Sequence, residues 1–173
     1  MKLREMLQAR VAAFATFGHP ALMERFVLKN GGAFKGVKFP FPKQVRRGEP
    51  NGCFMNAARL IMNNPREEWT YHEGYVLRDG LPLEIHHAWI VVDGKVVDNT
   101  LTDPEECEFL GVPFTRYQLM SELARNKVFG LLDTGRGVNR RLIAKLDPAV
   151  YTEARNVIEA GREIRKVMNG GGP

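Results

Sequence analysis

Apolar residues recur at helical spacing near both ends of the chain and at strand spacing through its middle. Leu3, Leu7, Val11 and Phe14 share one helical face, with Met6 and Phe17 beside it, and predict a helix over residues 2–17. Gly18-His19-Pro20 ends that helix, and a second run, Ala21 to Lys29, stops at Asn30-Gly31-Gly32. Residues 31–50 shift to glycine, proline and aromatics, among them Phe34, Phe39 and Phe41. They read as an irregular packed segment over the body of the protein, because linkers rarely carry so many phenylalanines. Asn51-Gly52 then turns the chain into good helix formers from Cys53 to Met62, closed by Asn63-Asn64-Pro65.

From residue 69 the period changes to two. Trp69, Tyr71, Glu73, Tyr75 and Leu77 alternate with Thr70, His72, Gly74 and Val76, which predicts a strand. Arg78-Asp79-Gly80 turns the chain into Leu83 to Thr100, where two β-rich runs flank Asp93-Gly94, a dipeptide suited to tight hairpins because it tolerates positive φ. An acidic loop, Asp103 to Glu108, leads to Phe109-Leu-Gly-Val-Pro-Phe114. Thr115 and Gln118 have capping-box spacing and open a helix to about Asn126. Val128 to Leu132 has the composition of a short strand, and Gly135-Arg-Gly137 that of a turn; a lone Gly-x-Gly is no phosphate loop. Asp147-Pro148 caps a last helix that should turn Val150, Ala154, Val157, Ile158, Ile164 and Val167 or Met168 inward, with residues 170–173 disordered.

The expectation is one α+β domain over residues 1–173: N-terminal helices over 1–30, a core over 50–133, and a C-terminal helix over 147–169. Its centre is a small antiparallel β-sheet with the Cys53 helix packed on it.

Composition narrows the function classes. The chain has 173 residues, 44% hydrophobic and 26% charged, the balance of a soluble globular protein. No apolar run approaches a membrane span. The first residues are charged throughout and lack an apolar signal core, so a cytoplasmic protein is expected. Two cysteines, Cys53 and Cys107, are too few for a disulfide framework and read as reduced thiols. The net charge of +5 is spread over the chain. It would suit an acidic substrate or partner, while no motif supports nucleic acid.

The chemistry gathers at the hairpin. Cys53 falls in the first turn of its helix, where unsatisfied N–H groups and the macrodipole favour a thiolate. With a two-residue turn at Asp93-Gly94, Val92 pairs with Lys95, Ile90 with Val97 and Trp89 with Asp98. His87 and Asp98 then share a face as diagonal neighbours, roughly 7–8 Å apart between backbones. His86 points the other way and takes a structural role. A three-residue loop would reverse this parity and put Asp98 on the face of His86. A cysteine, a histidine and an aspartate arriving separately suggest a nucleophile, a base and its orienter.

That set, Cys53 before Phe54-Met-Asn-Ala57, then His87-Ala-Trp89, then Asp98-Asn-Thr100, resembles the papain-like cysteine hydrolases, most closely their transglutaminase-like branch. The matching region covers under a third of the chain. It implies a Cys53 nucleophile, a His87 general base and an Asp98 orienter, working by acyl transfer through a thioester without a cofactor. The substrate would be a peptide, protein or small amide. The backbone N–H of Cys53 would serve the oxyanion. Gln44, Trp89, Glu73 and Asn56 complete the candidate oxyanion and substrate-binding set, Gln44 because papain-like enzymes use a glutamine ahead of the cysteine. Glu73 could face the site from its strand, and Asn56 could brace a neighbouring loop. The sequence departs from the family in its short histidine-to-aspartate spacing and in lacking a calcium-site pattern.

Two other readings compete. A metal site would draw on Cys53, His86, His87, Asp98 and Cys107, but adjacent strand histidines point to opposite faces, so no metal is expected. A basic binding module for an acidic protein or nucleic acid could keep the fold without the chemistry.

Overall fold

The structure is a computed structural model that describes residues 2–37, 45–64 and 68–170, with side chains as far as residue 168. Helices α1 (Lys2–Thr16) and α2 (Leu22–Asn30) precede strand β1 (Gly32–Lys35) and helix α3 (Cys53–Asn63). Strands β2 (Thr70–Arg78), β3 (Ile85–Val92) and β4 (Lys95–Val97) follow, then a 3-10 turn at Pro104–Glu106 and strand β5 (Cys107–Phe114). Helices α4 (Arg116–Asn126), α5 (Arg140–Leu146) and α6 (Pro148–Gly170) complete the chain. The architecture is α+β. Among the described residues no helix is long and apolar enough to cross a membrane.

The strands form one antiparallel sheet in the order β1-β5-β2-β3-β4. The sheet curls, so that its edge strands β1 and β4 meet. Alternation along the strands therefore builds two cores. On the outer face Tyr71, Tyr75, Ile90 and Leu110 pack against Leu3, Leu7, Phe26, Val27, Ala57, Ala58 and Ile61 of the helices. Within the curl lies a smaller core of Val76, Trp89, Val91, Val96, Cys107 and Phe109. Trp89 fits there because Gly111 lies beneath it: a Cβ at Gly111 would come within 2.4 Å of the indole ring.

Helix α3 docks on β2 and β3 through its apolar stripe. Helix α4 starts at the predicted capping box, with Thr115 and Gln118 each satisfying the other's backbone N–H. The cluster at residues 31–37 is partly regular, since β1 pairs with β5 from Gly32↔Gly111 to Lys35↔Glu108.

Three expectations need correction. Val128 to Leu132 is not a strand: no neighbouring strand takes its amides, and those of Leu131 and Leu132 go to the Glu73 carboxylate instead. Of the α6 residues expected to turn inward, Val150 and Ala154 are buried and Val157 and Ile158 half-buried, whereas Ile164, Val167 and Met168 are exposed. The helix leaves the body past Gly161, which packs directly on Gly18 at the end of α1. Residue 170, expected to be disordered, closes α6, and residues 171–173 lie outside the described set.

Candidate active site

The hairpin has the two-residue turn. Asp93 (φ 51°) and Gly94 (φ 72°) are both left-handed, as in the type I′ turn whose twist suits antiparallel strands. The pairs Val92↔Lys95, Val91↔Val96 and Ile90↔Val97 follow. His87 therefore points into the curl with Trp89 and Val91, and Asp98, one residue past β4, turns to meet it. His87 Nε2 lies 2.5 Å from Asp98 Oδ2. The other carboxylate oxygen, Oδ1, accepts the backbone N–H groups of Thr100 (2.8 Å) and Leu101 (3.1 Å). Asp98 is thus aimed by its own following turn. Trp89 stacks beside the imidazole at 6.4 Å between ring centroids.

Cys53 is the first residue of α3, where the leading amides of a helix have no intrahelical acceptor. Its thiol neighbours the His87 ring on the same cleft wall, close enough to raise the imidazole pKa. Since Asp98 holds Nε2, Nδ1 is the ring atom left for the sulfur. Burial alone would lower the His87 pKa, but the Asp98 hydrogen bond, the neighbouring Cys53 thiol and the charge of Asp98 hold it at about 9. A protonated imidazole beside a cysteine is the environment in which thiolates form.

The approach to this trio is open. A cleft of about 440 Å³ is lined by Cys53, His86, His87, Phe54, Ile85 and the Thr100–Thr102 segment, with Pro50 and Asn51 at its rim. That segment is tied down: Arg47 donates to the carbonyls of Thr100, Leu101 and Thr102, and Gly48 N–H to that of Asn99. Cys107 lies elsewhere, at the head of β5, and its thiol is pushed up to about 11 by burial and then by the Asp98 charge.

No family model, curated protein or solved structure matches this chain. The structure brings Cys53, His87 and Asp98 together. Asn56 is buried and braces the loop ahead of Cys53: its amide nitrogen donates to Glu49 O (2.8 Å) and Thr100 Oγ1 (2.9 Å), and its oxygen accepts Glu49 N–H (3.1 Å). Trp89 is fully buried behind His87 and does not line the cleft. Gln44 lies outside the described residues.

Glu73 and His86 form a second pair on the α3 side of the sheet. Glu73 is wholly buried. Its Oε2 accepts Leu131 N–H (2.7 Å) and the Tyr71 hydroxyl (3.0 Å), while Oε1 accepts Leu132 N–H (2.7 Å). His86 Nε2 is 3.1 Å from Oε1, close enough for an ion pair but without the alignment of a hydrogen bond. The Tyr71 hydroxyl is pushed well above its usual range, by burial first and then by Glu73.

Beyond the structural role its parity implies, His86 also lines the Cys53 cleft. The sequence signal for this was the intact alternation of β2 and β3, which pairs Tyr75 with His86 and leaves Glu73 beside it on the same face. The far side of the site, Val128 to Gly135, carried no such signal.

Proposed function

We propose that this protein is a cysteine-dependent acyl-transfer enzyme of papain-like type, closest to the transglutaminase-like branch, which cleaves an amide through a thioester on Cys53. The observation that carries the reading is the His87–Asp98 pair set beside Cys53 at the wall of an open cleft.

The Cys53 sulfur attacks the amide carbonyl carbon, and the carbonyl oxygen takes the negative charge against the Cys53 backbone N–H. His87 gives its proton to the departing nitrogen as the C–N bond breaks, which leaves the thioester. Water or an amine then attacks, His87 takes the proton back, and the sulfur leaves. Asp98 holds the imidazole in orientation and offsets its charge throughout, as the third member of such triads does. A peptide, protein or small amide fits the open cleft as substrate, and the basic surface favours an acidic one.

The test is thiol alkylation. Iodoacetamide should label Cys53 in the folded protein at pH 6, where an ordinary cysteine is almost wholly thiol, and should leave buried Cys107 untouched. Cys53→Ala should abolish both the label and acyl-enzyme formation with amide substrates. An inert Cys53 in the native protein, located by peptide mass spectrometry, rejects the proposal.

A further inference from the structure

A second cleft of about 410 Å³ opens beside the first, and its lining is more apolar: Phe54, Met55, Val128, Phe129 and Gly130, with Asp133 and Thr134 among the polar residues of its wall. The two clefts share Asn51, Phe54 and His86. The second also reaches Gly52, so residues on both sides of Cys53 belong to its wall. A group attached to the Cys53 sulfur would rest against this corner.

One buried carboxylate fixes two of its walls. Glu73 holds the amides of Leu131 and Leu132, which pins the irregular segment from Val128 to Gly135, and its Oε1 faces the His86 ring on the opposite side. The Tyr71 hydroxyl, which donates to Glu73, also lies 3.4 Å from the Phe129 carbonyl oxygen. No helix or strand dictates the path of this segment; the carboxylate does. A fully buried carboxyl group is costly to desolvate, and here its hydrogen bonds shape an apolar recess next to the thiol.

We infer that this recess is a specificity subsite for a bulky apolar side chain, aromatic or branched aliphatic, on the acyl side of the scissile amide. Glu73 acts as the positioning residue that shapes it. The inference rests on the acyl-transfer reading. The acyl side follows because the acyl group stays bound to Cys53 and must be held while the amine departs. Pockets of this kind discriminate between side chains by roughly ten- to hundredfold.

Two electrophiles test it: N-acetylphenylalanyl chloromethyl ketone and its N-acetylglycyl counterpart. In each, the Cys53 sulfur displaces chloride and forms a C–S bond, and the readout is the ratio of second-order rates at Cys53. The phenylalanyl reagent should react at least about tenfold faster. Thr134→Trp or Met55→Trp, each filling the recess from a different wall, should bring the ratio close to one, and a general change in thiol reactivity cancels in that ratio. A wild-type ratio near one, or a ratio that survives both folded variants, overturns the subsite while leaving acyl transfer standing. If neither reagent nor iodoacetamide labels native Cys53, the acyl-transfer reading fails and the subsite fails with it.

Discussion

Asp98 sets the charge state of His87. The imidazole is 2% exposed, and burial of that degree favours a neutral ring. It is protonated at neutral pH because the carboxylate faces Nε2, with the thiol as the second contributor. Asp98→Asn separates charge from geometry. The asparagine oxygen can still accept the N–H groups of Thr100 and Leu101, so the turn survives. Without the negative charge, the His87 pKa should fall from about 9 into or below the ordinary histidine range. Titration of the His87 ring protons by NMR checks this, and an unchanged pKa would mean that Asp98 is not the dominant partner. The pH profile of Cys53 alkylation should move with it.

At the scale of elements, the hairpin was legible because its rules are local. Two residues with positive φ fix the parity of both strands, and parity alone selects His87 over His86 as the partner of Asp98. The first turn of α3 was legible for the same reason, since Asn51-Gly52 punctuates the chain just before Cys53. Non-local pairing was not. Val128 to Leu132 has strand composition, yet its amides satisfy a carboxylate 58 residues away in sequence. Only the fold brings that acceptor near. The outer part of α6 misled in the opposite way, because an apolar stripe continues past the point where the body ends. Glu73 is therefore the better probe of this region. Glu73→Gln offers one oxygen where two were used, and its NH2 must face at least one donor. It should cost about 2–4 kcal/mol, within the usual range for breaking a buried charged network. Urea denaturation would show a lower midpoint, and hydrogen exchange should quicken first at Leu131 and Leu132. A variant with unaltered stability would show that the segment is held by its apolar packing.

For the molecule as a whole, two buried histidines of opposite character should shape the dependence of stability on pH. His72, in β2 against Phe34 and Trp89, is held down at about 4, because burial outweighs the opposing pull of the nearby Gly111 backbone. Between about pH 4 and the unfolded value near 6.5, the unfolded chain binds a proton there that the native state does not, so stability rises with pH. His87 works the other way. Its folded pKa of about 9 lies above the unfolded value, so its contribution is complete below about pH 6.5 and is lost as pH climbs through 9. Each histidine sets a slope of at most about 1.4 kcal/mol per pH unit within its own window. Buried Cys107, ionising only near 11, extends the alkaline decline, because an unfolded thiol releases its proton earlier. The melting temperature should therefore peak near pH 6.5 and fall on both sides. Thermal melts from pH 4 to 10 on three proteins separate the two limbs. Asp98→Asn should flatten the limb between pH 6.5 and 9, and His72→Gln should flatten the limb between 4 and 6.5. Should the alkaline limb keep its slope in Asp98→Asn, the raised His87 pKa is not what couples this fold to pH.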